Sequence, residues 1–372
     1  MLSKQFYIRN KKIIMSTSTT LPPVFGNLYQ LVSAAENESF TQVKDELYGF
    51  YKQCTNEMEN DSSKFLSALL LNSYMAHKGG SQNHENIYLR NYEVSQIQLF
   101  DILIAKLPYV KYSQAIVNHK IAELLNGLQE ATLFDIGIGL GTQVRNILNQ
   151  CREMKGLKKL VVVGIEPGAE ALTTAEQSIM SMQAEMPFTI EFKGYHGFAE
   201  NMNLTTLDYG TSNIIVNASL ALHHIQTNEK RTQVLEQIKL LNPTGLFLIE
   251  PNVNHFEPSF LKRFCNCFNH FYALFQTIDG LDIHTNEKSA LKLFFGREME
   301  DIIGKPEAER FEKHEPASTW INRLRQLNYT LKSEQLSLPV SHESGVQIAS
   351  HTEGFIGFTF ENETVLSIIY AA

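Results

Sequence analysis

What this chain lacks narrows its reading first. It carries four cysteines, Cys54, Cys151, Cys265 and Cys267, in 372 residues. They are too few and too scattered for a disulfide framework, and Cys265 and Cys267 form C-x-C rather than the C-x-x-C of a zinc or redox site. All four read as reduced thiols in a cytosol-like compartment, so a cytoplasmic protein is expected. Positive charge is not in excess: 32 Lys and Arg stand against 40 Asp and Glu, a formal net charge of −8. That argues against non-specific binding of nucleic acid or acidic membranes, and no helix-turn-helix or zinc-finger pattern offsets it. No apolar run approaches the ~20 residues of a membrane span. No H-x-x-x-H or equivalent ligand spacing occurs, so no metal is expected. The partner expected is a small molecule, without nucleic acid or membrane, and a homodimer is left open.

What is present is globular, with 43% hydrophobic and 19% charged residues. The chain is organised around Thr132 to Gln143, TLFDIGIGLGTQ. Leu133 to Ile136 read as a short strand. Gly137, Gly139 and Gly141 follow at every second position, and a helix-like segment starts at Thr142. Strand, glycine turn and helix form the front edge of a nucleotide-type α/β site. The turn must come close to a ligand, which a Cβ would block. A dinucleotide fingerprint needs a glycine where Thr142 stands. The D-x-G-x-G-x-G present here, with Asp135 near the strand end, is typical of S-adenosyl-L-methionine (SAM) sites. A second strand, Leu160 to Ile165, ends in Glu166, placed to bond two ribose hydroxyls.

Residues 1–15 contain Lys4, Arg9, Lys11 and Lys12 and no acid, the bias of a presequence or of an unstructured extension. Residues 1–24 are read as that extension and 25–128 as a helical cap, with breaks at Ser33–Ser39 and Gly79–Ser81 and with Pro108 ending one helix. A cap before strand one is expected to close over the cofactor. Residues 129–372 read as the sheet domain, with strands near 133–136, 160–165, 189–193, 213–218 and 245–250 and helices between most of them. That alternation implies a parallel sheet with right-handed crossovers and ligands at the strands' carboxyl ends. Asp135, Glu166, Asn217 and Glu250 all fall at such ends. A helical insertion is expected at about 257–327. Its first helix carries Phe260, Phe264, Phe268, Phe271, Tyr272 and Phe275 at core spacing. The tail from about Thr330 should return two or three antiparallel strands. The fold class is α/β, class I SAM-methyltransferase-like (Rossmann-type), with a mostly parallel sheet and an N-terminal α-helical cap.

Five segments in order resemble the GRAS family, the plant regulators and their bacterial relatives. Pro108 to Tyr112 with Ala115, Asn118 and Ile121 is similar to PY-x-KF…NQAI. Ala131 to Asp135 falls on VHIID. Val216-Asn217 and Leu222 to Ile225 fall on VN…LHRL, with His224 in place of arginine. Glu250, Asn254-His255, Pro258, Phe260-Leu261, Arg263-Phe264, Tyr272 and Leu274-Phe275 resemble E-x-x-x-NH…P-x-FL-x-RF…Y-x-LF. Phe295 to Glu298, Glu309-Arg310, His314-Glu315, Trp320 and Asn322 to Leu324 resemble GRE…ER-x-x-HE…W-x-x-RL. Plant members generally lack the glycines held here at 137 and 139, and the closing S-A-W of the plant proteins is absent. The likeness therefore implies the bacterial branch, thought to be small-molecule methyltransferases.

The expectation is a SAM-dependent methyltransferase acting on a small O or N acceptor. The alternative is a non-catalytic GRAS-type module that senses a ligand and binds proteins. Asp135, Gly137, Gly139, Gly141, Glu166 and Asn217 are expected to hold SAM, with adenine contacts from Phe198 to Met202. His223 or His224 is the candidate base, with Glu250 beside them, though a histidine there also caps the next helix. Asn254, His255 and Arg263 are candidates for substrate, Arg263 being equally suited to pair with Glu298 or Glu257. Arg297, Arg323, His314 and Glu315 are expected to form a buried charged network that fixes the cap.

Overall fold

The computed structural model describes residues 21–79, 92–210, 213–338 and 345–372. The expectations for residues 1–15, and most of the Gly79–Ser81 break, lie outside the described residues. The sheet has eight strands in the order β3-β2-β1-β4-β5-β8-β7-β6. Strands β1 (Glu130–Ile136), β2 (Lys159–Glu166), β3 (Thr189–His196), β4 (Ile214–Ser219) and β5 (Gly245–Pro251) run parallel. The tail supplies three antiparallel strands, β6 (Val346–His351), β7 (Phe355–Phe360) and β8 (Glu363–Ala371), and β8 pairs with β5. Parallel strands covered on both faces read as continuous apolar runs, and Leu160 to Val163 are buried without exception.

Alternate residues feed two cores. Leu133, Val162, Ile215, Phe247 and Ile368 face one, and Phe134, Val161, Val216, Leu248 and Ile369 face the other. The second core is closed by α8 (Asn228–Leu240) and α11 (Ala317–Gln326). The first takes α6 (Thr142–Gln150) and α7 (Ala169–Met180), together with the N-terminal helices and the insertion.

Those N-terminal helices are α1 (Pro23–Ala34), α2 (Phe40–Glu57), α3 (Ser62–His77), α4 (Gln96–Lys106) and α5 (Pro108–Leu125). The break read at Ser33–Ser39 is a π-helical turn, Ala35–Ser39, between α1 and α2. Pro108 both ends α4 and opens α5, where its missing N–H costs nothing. The insertion supplies α9 (Phe260–Asp279) and α10 (Thr285–Gly304). Its aromatic stripe packs on the N-terminal helices: Phe268 meets Phe25 at 4.4 Å between ring centroids, Phe260 meets Tyr74 at 5.5 Å and Phe275 meets Phe65 at 6.0 Å. Lys292 of α10 donates to Ser62 and Asp279, each at 2.5 Å, and so ties α3, α9 and α10 together. The expected cap over the cofactor is thus half of a helical body shared with the insertion. Its link to the strand tips runs through α5, where Asn118 accepts from Gln143. Among the described residues no helix is long and apolar enough to cross a membrane.

Candidate functional site

Chain direction across the sheet reverses between β1 and β4, and the glycine turn lies at that switch point. Gly137, Gly139 and Gly141 have φ of +77°, +53° and +77°, values that favour glycine. A Cβ at Gly141 would lie 3.1 Å from the Cα of Ala175, so α7 packs directly on the turn. A Cβ at Gly139 would meet nothing within 4 Å, so the turn is open in front of it. Glu166 bridges two loops, accepting from the Gly139 N–H at 3.0 Å and the Gly168 N–H at 2.9 Å. Strand register sets Asp135 directly beside Asn217. The Asn217 amide donates to Asp135 and to Gln143, both at 3.3 Å, and Gln143 donates to Asn118 at 3.0 Å. Burial pushes the Asp135 carboxyl up to about 7, the Asn217 hydrogen bond opposes this, and the Glu166 charge adds to it. Asn217 Oδ1 and Ser219 Oγ are buried with no hydrogen-bond partner. Phe198, 48% exposed, opens the short 3₁₀ turn Ala199–Asn201 beyond β3.

A second assembly lies beyond the ends of β4 and β5. The His223 Nδ1–H donates to Glu250 Oε2 at 2.6 Å, and Glu250 Oε1 accepts from the Leu222 N–H at 2.8 Å. His223 Nε2 faces Glu312 Oε2 at 3.5 Å, and His314 Nε2 faces the same oxygen at 3.2 Å. His314 Nδ1 meets His255 Nδ1 at 2.8 Å. Burial opposes a charge on His223, but Glu250 and Glu312 outweigh it and raise the imidazole to about 10. Burial acts against the Glu250 charge as well, yet His223 and the Leu222 N–H hold it below its ordinary range. His224 is exposed, its ring against that of His223 and its Nδ1 3.6 Å from Glu312 Oε1.

Among the expected substrate residues, His255 joins that assembly. His255 is fully buried, stacked on Phe271 and close to His270 and His314. Asn254 offers its carbonyl to Asn266. Arg263 pairs with neither expected carboxylate; it donates to the backbone carbonyls of Glu257 and Ile302. The charged network forms in a different composition. Arg323 grips Glu315 through both terminal nitrogens at 3.1 Å, and Arg231, wholly buried, meets the same carboxylate at 2.5 Å. Arg297 is exposed on α10, and His314 belongs to the histidine cluster. Sequence reasoning missed Arg231, Glu312, Gln143 and the site role of Asn118. Arg231 sits in a polar helix, where nothing separates it from surface arginines. Gln143 could have been found as the second residue of the helix behind the glycine turn.

The model of the GRAS domain family matches residues 55–363. DELLA protein 2 of Medicago truncatula is 24% identical over 238 residues, 60% of this chain and 44% of that protein. Scarecrow-like protein 21 of Arabidopsis thaliana is 23% identical over 277 residues, 71% of this chain and 67% of that protein. The chain spans less than half the length of the first of these relatives. The crystal structure of SCL7 in Oryza sativa shares the fold, with a TM-score of 0.75 at 16% identity over 95% of this chain and 100% of that one. The expectation of a methyltransferase is therefore corrected: the relatives are GRAS regulators, not enzymes. His223 keeps its Nδ1 on Glu250 at 2.6 Å and faces Glu312 with its Nε2 at 3.5 Å. Glu250, its oxygens taken by His223 and Leu222, is equally committed. The chain belongs to the GRAS domain family.

Proposed function

We propose that this chain is a non-catalytic GRAS-type regulatory module whose strand-tip crevice senses a small ligand of the SAM type and whose outer faces bind other proteins. The observation that carries the reading is the acceptor pair beneath the glycine turn. Asn217 Oδ1 is buried without a partner beside the buried carboxyl of Asp135. An unpaired buried acceptor is costly, and an amino-acid ammonium would answer both groups at once. The open space before Gly139 suits a ligand that lies against the backbone. Glu166 spends two of its roughly four lone-pair sites on Gly139 and Gly168, which leaves acceptors for ribose hydroxyls.

The rim of the crevice supports a partner as well as a ligand. Leu140, Phe198 and Leu220, on the loops after β1, β3 and β4, are 48%, 48% and 36% exposed. Leu220 also has a φ of +54°, strain that a branched side chain bears only where the surroundings hold it. Nothing in this reading moves a proton or a methyl group.

Isothermal titration with SAM and with S-adenosylhomocysteine tests the crevice. Saturable binding is expected for the wild type and loss of about tenfold or more for Gly139→Val and for Glu166→Ala, with circular dichroism confirming that both variants fold. A wild type that gives no heat with either ligand would remove the proposal.

A further inference from the structure

The histidine cluster supports an inference that does not rest on the ligand reading above. We propose that His223, Glu312 and His314 form a binding site for a divalent cation of the zinc class. One ligating atom from each of the three lies within 4.8 Å of the other two. Glu312 Oε2 stands 3.2 Å from His314 Nε2 and 3.5 Å from His223 Nε2. A tetrahedral zinc ion, held at about 2.0–2.1 Å from each ligand, keeps its ligands roughly 3.3–3.4 Å apart. Two edges of the site are therefore already set at the spacing a bound cation needs.

The ion-paired surroundings also suit a metal site. A ligating histidine presents one nitrogen to the metal and anchors the other on an acceptor, which fixes its tautomer. His223 does so with Glu250 at 2.6 Å, and His314 has His255 at 2.8 Å on its far nitrogen. Glu250 is itself fixed by the Leu222 N–H at 2.8 Å. Glu312 Oε2 provides a second, independent observation. It is buried and makes no hydrogen bond in spite of the two imidazoles beside it. It lies within ion-pair reach of both imidazoles, and a cation between the three atoms would take the place of the proton on His223 Nε2. Two imidazoles and one carboxylate suit zinc, cobalt or nickel better than magnesium or calcium. His224 is exposed at the edge of the cluster, with its Nδ1 3.6 Å from Glu312 Oε1, and marks the entry side.

The site joins distant parts of the chain. His223 follows β4, whereas Glu312 and His314 lie on the segment between α10 and α11. A bound cation would pin that segment, with exposed Phe311 on it, against the carboxyl edge of the sheet. The three residues leave the fourth position of a tetrahedral ion to water, and the bound ion would order this surface.

The test uses the full chain, stripped with a chelator and dialysed against zinc chloride, with bound zinc measured by mass spectrometry. One equivalent is expected, with a rise in melting temperature. Cobalt chloride in place of zinc should give visible absorption bands of a tetrahedral nitrogen and oxygen site. Glu312→Gln, which keeps the shape, and His314→Ala should each weaken zinc binding by about tenfold or more, while His196→Ala, remote in sequence and exposed, leaves it unchanged. If His314→Ala does not fold, Glu312→Gln alone decides. Less than a tenth of an equivalent on the wild type, or equal binding by Glu312→Gln, overturns the site.

Discussion

Asp135 is the residue through which pH should act on this fold. Its carboxyl rises from 3.8 to about 7 because burial disfavours the charge and Glu166 adds to the penalty. Folding therefore strengthens the hold on its proton. The resulting stabilisation is complete below 3.8 and is lost as pH climbs through 7. Urea unfolding between about pH 5 and pH 8 should show the wild type losing stability that Asp135→Asn retains, by about 2 kcal/mol or more at the upper end. Parallel pH profiles for the two proteins would contradict this account of Asp135. Arg231 makes a contrasting case. It meets Glu315 at 2.5 Å and donates to the carbonyls of Ile225, His223 and Lys313. Arg231→Met keeps the bulk and removes every donor, so about 3 kcal/mol or more should be lost in urea unfolding. A loss under ~1 kcal/mol would mean that Arg323 alone satisfies Glu315. Asp135 was legible in the sequence because a strand end before a glycine turn is a recognisable place. Arg231 and Glu312 were not, since their meaning comes from partners 84 and 89 residues away.

Helices and strands follow the same division between local and distant causes. The parallel strands were legible because apolar runs and turn residues are local signals, and all five appear within a few residues of their expected bounds. The three tail strands were legible as a group but not singly, because β8 is positioned by pairing with β5 across more than a hundred residues. The aromatic stripe of α9 was legible as core; its partners were not, because periodicity says that a face is buried and not against what. Those partners are α1 and α3. Phe275, fully buried and edge-on to Phe65, should therefore cost about 3–5 kcal/mol when cut to alanine. Leu240, 75% exposed at the end of α8, should cost less than about 0.5 kcal/mol in the same assay. Similar losses at the two positions would undo the assignment of the α9 stripe to a shared core.

For the whole molecule, the question is whether the N-terminal helices are a cap that can be lifted off. One core runs without interruption from Phe25 of α1 through α9 and α10 to Leu133 and Ile368 of the sheet. The other, on the opposite face, holds Trp320, the chain's single tryptophan, which is fully buried. Tryptophan fluorescence therefore reports one face of the sheet, and far-UV circular dichroism reports mainly the helices packed on the other. If the N-terminal helices formed a separate unit, the dichroism would fall first as urea rises. Because α3 is wedged against α9 and α10, and the Lys292 ammonium binds Ser62 and Asp279 across those helices, unfolding them exposes the sheet's own face. The two signals should trace one transition with a single midpoint. Midpoints separated by more than about 0.5 M urea would instead make the helical body an independent domain. In that case the carboxyl edge of the sheet, with its crevice and histidine cluster, would stand without it.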